Sequence, residues 1–161
     1  MDADRFRFLF REDAGEIDRA TWVKYAGAMA GLILALTLPW FWLRGHIVHD
    51  LAKDPLFDPK IFAAYFYAIL YAFALILVGV SYMNLSAKRF RALRRPNPLG
   101  LASLVPLIAF LIGALRLMPI LSPSIADLAP TWAVWGAEAV FAGVAGWTAW
   151  ELGMKEATGA R

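Results

Sequence analysis

The sequence predicts an all-α membrane protein of four transmembrane helices in two antiparallel hairpins, on three observations. Apolar residues make up 60% of the 161-residue chain, above the roughly 45–50% of soluble domains. They concentrate in four runs, about 25–43, 61–83, 99–121 and 131–150, each near or above the roughly 18–20 residues that cross about 30 Å of hydrocarbon. The cations are unevenly spread around these runs. Arg5, Arg7, Arg11, Arg19 and Lys24 precede the first run, Lys88, Arg89, Arg91, Arg94 and Arg95 separate the second from the third, and Lys155 and Arg161 follow the fourth, against only Arg44, Lys53 and Lys60 in the first connection and none in 122–130. Because cytoplasmic loops collect Lys and Arg, that asymmetry predicts both termini in the cytoplasm. The tryptophans agree, since indoles favour the headgroup layer: Trp22, Trp40 and Trp42 flank the first run, and Trp132, Trp135, Trp147 and Trp150 the fourth.

Residues 1–17 form a charged cytoplasmic tail in which Phe6, Phe8 and Phe10 alternate with Arg5, Arg7 and Arg11. Period two suggests an extended strip, and the same residues also suit a short amphipathic piece on the headgroups. Asp18 is the expected N-cap of the first helix. Its run is long for a signal peptide, its leader contains acids and no small-residue cleavage site follows, so it reads as a retained span. In the first outer connection His46, His49 and Asp50 suggest zinc ligands, but a defined site needs a further ligand and a rigid scaffold, and a solvated loop is the expectation. Asp58 and Pro59 then begin the second helix as N-cap and first residue. Its aromatic stripes, Phe62, Phe66 and Phe73 and separately Tyr67 and Tyr71, suit packing or lipid contact, with a quinone or pigment groove as the functional alternative.

Beyond Met83 the helical pattern runs on, with Ser86, Ala87, Phe90 and Leu93 on one side and Lys88, Arg91 and Arg95 on another. Lys88, Arg89, Arg91, Arg94 and Arg95 therefore read as topogenic charges that also suit anionic lipid headgroups, at about 1 kcal/mol per cation. Pro96 stops the segment, Asn97 caps the next helix and Pro98 opens it, leaving 84–98 as the basic cytoplasmic connection and 151–161 as a cytoplasmic tail within one four-helix domain, 1–161.

Two stretches carry a family resemblance. Gly15-Glu16-Ile17-Asp18-Arg19-Ala20-Thr21-Trp22 and Ala87-Lys88-Arg89-Phe90-Arg91-Ala92-Leu93-Arg94-Arg95-Pro96-Asn97-Pro98-Leu99, the latter followed by Leu104-Val105-Pro106-Leu107-Ile108, resemble the entry motif and the basic signature of a small inner-membrane family, domain of unknown function 805, of the YhaH type. The sequence departs from that pattern at Glu16, at Arg91-Ala92 where the family has His-Asp, and at Asn97-Pro98 where it has Gly-Trp. The resemblance implies the fold and a bacterial inner-membrane location, and no activity.

Two charges lie inside spans. Counting 1.5 Å per residue, Arg116 stands about 7 to 8 Å below the outer end of the third span and Glu138 about 10 Å below that of the fourth. The two helices are joined by a short connection, so the charges are expected to meet, an unpaired carboxylate at that depth being expensive. Thr37 and Tyr67 fall in the same layer, and the four residues are expected to form one intramembrane polar cluster, either structural glue or a substrate or proton site. Small residues at Ala109, Gly113, Gly136, Ala139, Ala142, Gly143 and Gly146 suit close helix contact.

With no cysteine, disulfides, thiolate metal sites and cysteine-ligated iron–sulfur clusters are excluded. The net charge of +3 is explained by the cations flanking spans and gives no support to a nucleic-acid partner. No nucleophile and base stand at productive spacing, so the chain is not expected to be an enzyme, and no catalytic residue, cofactor or metal is assigned. The expectation is an accessory or assembly subunit whose partners are the bilayer, anionic lipids and other membrane-protein subunits. The alternative is a small homo-oligomeric transporter or channel using Arg116 and Glu138.

Overall fold

The computed structural model describes residues 2–47, 58–121 and 130–156. They fold as α1 (Ala3–Phe10), α2 (Arg19–Leu43) with a 3₁₀ turn Arg44–His46, α3 (Pro59–Ala92), α4 (Pro98–Leu121) and α5 (Thr131–Met154). Among the described residues there is no strand. The fold is all-helical, and among the described residues three helical segments, Arg19–His46, Pro59–Ala92 and Pro98–Arg116, are long and apolar enough to cross a membrane. α5 has the length of α4, but Trp132, Trp135, Trp147, Trp150, Glu138 and Glu151 make it less apolar.

The helix starts follow local chemistry. Asp18 Oδ1 accepts from the Thr21 amide at 3.1 Å, Asp58 Oδ1 from Lys60 N at 2.7 Å and Asn97 Oδ1 from Gly100 N at 3.2 Å, each relieving an amide that has no partner in a first turn. Pro59 and Pro98 open their helices, where a missing N–H costs nothing. Asn97 takes a left-handed φ of 48°, which asparagine tolerates better than most residues. Past the third apolar run's predecessor, α3 does not stop at Met83 but continues for nine residues to Ala92. The basic connection is thereby cut to a tight turn, with Arg94 left-handed at φ 56°.

The N-terminal tail resolves the choice between strip and amphipathic helix in favour of a helix. Asp2 caps α1 by accepting from Arg5 N at 2.7 Å. The rings of Phe6 and Phe10, one turn apart, meet in a tilted contact with centroids 5.1 Å apart, and Leu9 is buried. Four-residue spacing overrides the two-residue alternation because helical periodicity brings Phe6 beside Phe10 while Leu9 is turned inward, Phe6 itself staying exposed.

The chain divides into two compact units, one from residues 1–26 and 80–161 and the other from 27–79. In the first, α1, the start of α2 and the end of α3 pack with α4 and α5, around Leu9, Ile17, Trp22, Leu85, Phe90, Ala102 and Leu152. In the second, the rest of α2 pairs with the earlier part of α3 through Thr37, Trp40, Tyr67 and Tyr71.

Candidate functional site

The most polar interior of the molecule lies where the sequence is most basic. From Asn84 to Phe90 every residue of α3 is buried, and Arg89 and Lys88 are the two largest fully enclosed side chains. A helix ends with carbonyls that have no intrahelical donor and with a partial negative charge. α3 supplies donors to two such ends. Asn84 Nδ2 donates to the carbonyl of Phe10, the last residue of α1, at 2.8 Å. Lys88 Nζ, one turn on, donates to the Glu12 carbonyl and lies 5.0 Å from the Phe8 ring centroid. Arg89 turns to α5, with Nε on the Leu152 carbonyl at 3.2 Å and Nη2 on the Lys155 carbonyl.

Around this centre the charges pair. Glu151, 1% exposed, accepts from Arg95 Nε at 2.7 Å and from Arg95 Nη2, and its other oxygen meets Lys155 Nζ at 2.7 Å. Burial alone raises this carboxyl's pKa, but hydrogen bonds from Lys155 and Arg95 outweigh it and hold the group below the usual glutamate value. Burial draws the Lys88 ammonium below the ordinary lysine value, with the Arg91 charge adding to the effect and Glu12 and Asp13 opposing it. The Arg89 guanidinium is likewise lowered by burial, against the Asp18 charge. Asp18 is itself held low, chiefly by its hydrogen bond with Thr21. Arg91 reaches Asp13 at 3.3 Å, Trp22 Nε1 donates to Ser86 Oγ at 3.2 Å, and Phe90 stacks on Trp147 at 5.9 Å.

Two of the five cations expected at lipid headgroups, Lys88 and Arg89, are thus enclosed and bonded to main-chain oxygens. Arg95 is engaged by Glu151, Arg91 is part-exposed, and Arg94 is exposed. Sequence reasoning missed the receiving side. Glu151 carried one legible signal, its four-residue spacing from Lys155. The carbonyls of Phe10, Glu12, Leu152 and Lys155 carried none.

Of the four residues assigned to one intramembrane cluster, Arg116 and Glu138 belong to the first unit and Thr37 and Tyr67 to the second. Arg116 Nε donates to Glu138 Oε1 at 2.9 Å, Nη2 shares the same oxygen, and both side chains stay open, 62% and 36% exposed. In the second unit the Thr37 hydroxyl donates to the Ile33 carbonyl at 2.7 Å and stands 2.9 Å from the Tyr71 hydroxyl. Tyr67 donates to the Leu36 carbonyl at 2.5 Å. Pro39 lies inside α2 and lacks the N–H that would reach the Ala35 carbonyl, while the Thr37 and Tyr67 hydroxyls serve the neighbouring Ile33 and Leu36 carbonyls. Trp40, Tyr71 and Tyr67 stack in sequence, at 5.7 and 6.2 Å, so the tyrosine stripe is a helix–helix contact. Phe62 and Phe66 stack together, outward-facing.

Among the described residues no three His, Cys, Asp or Glu side chains gather as metal ligands. His49 and Asp50 of the zinc reading, the connection 122–129 and the tail 157–161 lie outside the described residues. What these groups do chemically is hold: cations on carbonyls, a carboxylate between two cations, hydroxyls on a proline-interrupted turn. No family model, curated protein or solved structure matches the chain.

Proposed function

We propose that this chain is a multi-pass protein of the bacterial inner membrane, with four spans and both termini in the cytoplasm, acting as a non-catalytic accessory or assembly subunit packed against a larger membrane complex. The observation that carries this reading is the division of chemistry along the helices. Leu34, Leu38, Trp42, Ile69, Leu107 and Phe110 are large, apolar and more than half exposed, whereas the buried polar side chains gather at the junction of α1, α3 and α5. Such a surface calls for lipid or protein around it.

The orientation is supported by the bias of Lys and Arg toward the tails and the α3–α4 turn. α5 is read as the fourth span because its 24 residues reach about 36 Å and tryptophans mark both ends. The resemblance to the domain of unknown function 805 family belongs to the same reading of fold and location. Arg94, exposed at the turn, is the residue best placed to meet an anionic headgroup.

Purification in a mild detergent followed by native mass measurement tests the role, with unrelated subunits expected to accompany the chain. A second reading, a small homo-oligomeric transporter or channel, is favoured by the exposed Arg116–Glu138 bridge. It replaces the first if the chain purifies alone as a symmetric oligomer and its flux fails in Glu138→Gln.

A further inference from the structure

We propose that two copies of this chain pair through the face on which α4 and α5 carry Arg116 and Glu138, about a two-fold axis along the membrane normal. The proposal rests on α4 and α5 being spans and not on the accessory role.

The first support is the position of the bridge. Glu138 stands 13 residues from Glu151, or about 20 Å along α5. With the buried Glu151 knot at the cytoplasmic boundary, Glu138 falls inside a hydrocarbon layer of about 30 Å. Arg116 and Glu138 satisfy each other but remain 62% and 36% exposed, and charged groups facing lipid at that depth are rare because they are costly.

The second support is room that nothing in the chain fills. A Cβ added at Gly113 of α4, or at Gly136, Gly143 or Gly146 of α5, would meet no other atom within 4 Å. Glycine weakens a helix, and no contact within the chain requires it here. With the exposed Ala139 and Ala142, the α5 glycines form a strip of small side chains beside the bridge, which lets a second helix backbone come close.

Charge complementarity selects the occupant. α4 and α5 pack side by side and present a cation and an anion next to each other at one depth. A half turn about an axis along the membrane normal keeps depth and exchanges left with right. Arg116 of one copy then faces Glu138 of the other, as a self-complementary interface requires. Four charges close into one alternating ring, and lipid meets none of them.

The chain has no cysteine, so single cysteines report on contact. In membranes treated with a copper oxidant, Ala139→Cys should give a disulfide species of twice the chain mass, and Ile69→Cys, exposed on α3, should not. Glu138→Arg and Arg116→Glu copies, each with two like charges, should self-associate at least tenfold less than the parent, and when co-expressed with different tags should pair with each other. Equal cross-linking at positions 139 and 69, an Ala139→Cys adduct of another mass, or no preference between the two charge variants overturns the proposal. Alkaline carbonate extraction separates the two readings: a chain that stays in the membrane as a monomer overturns only the dimer, and one that washes off overturns the spans as well.

Discussion

Arg89 bonds the C-terminal end of α5 through two of its nitrogens, with Nε on the Leu152 carbonyl at 3.2 Å and Nη2 on the Lys155 carbonyl. A planar fork suits two carbonyls that point the same way at a helix end, and its charge opposes the negative pole of the helix dipole. One residue earlier, Lys88 does the same for the chain just past α1. The end of α3 is therefore a clamp that fastens both tails of the chain.

Removing the clamp should loosen α5 first. Arg89→Met leaves two buried carbonyls without donors and should cost about 2 to 4 kcal/mol, read as a lower midpoint in SDS titration of the purified protein. Arg89→Lys should recover less than half, because an ammonium does not reproduce the fork. Full stability in Arg89→Met would show that Leu152 and Lys155 find other donors.

The Glu151 knot makes a pH prediction. Its folded-state pKa is depressed, so its contribution is complete above the unfolded glutamate value, about 4.3, and is lost as pH falls through the lower folded value. Parent stability should drop below about pH 4 more steeply than that of Glu151→Gln, which should already be weaker at pH 7 by about 2 kcal/mol. Acid titrations of the two proteins that fall in parallel, with the same slope, would reject the assignment.

Gly15 turns the chain between α1 and α2 at φ +96°, and a Cβ there would sit 2.7 Å from Phe8 Cε2. Gly15→Ala combines left-handed strain with that clash and should cost about 1 to 3 kcal/mol. Since Phe8 lies against Lys88, the expected symptom is faster trypsin cleavage at Arg5, Arg7 and Arg11, with the helices of the 27–79 unit unaffected.

Tyr67→Phe removes the hydroxyl that serves the Leu36 carbonyl in the Pro39 turn. The expected cost is about 0.6 kcal/mol, the usual scale of a hydrogen bond between membrane helices. Pro39→Ala, whose restored N–H would serve the Ala35 carbonyl and not that of Leu36, should leave this cost unchanged. A double-mutant cycle with clear coupling would instead tie Tyr67 to the proline.

The sequence by itself determined the helices and where most of them begin. Asp18, Asp58 and Asn97 declare themselves because a cap acts on amides two or three residues away, within reach of a local reading. Long apolar runs likewise state their need for a nonaqueous surround. The meeting of Arg116 with Glu138 was also legible, since equal depth on helices joined by a short connection leaves little else for either charge to do. Only the tertiary structure decided what becomes of Lys88 and Arg89. In sequence they are members of a cationic run without an acid, a pattern that points to solvent or headgroups. Their partners are main-chain oxygens, which every residue possesses, and an oxygen becomes an acceptor of buried charge only where a helix ends and its end is carried against the right side chain.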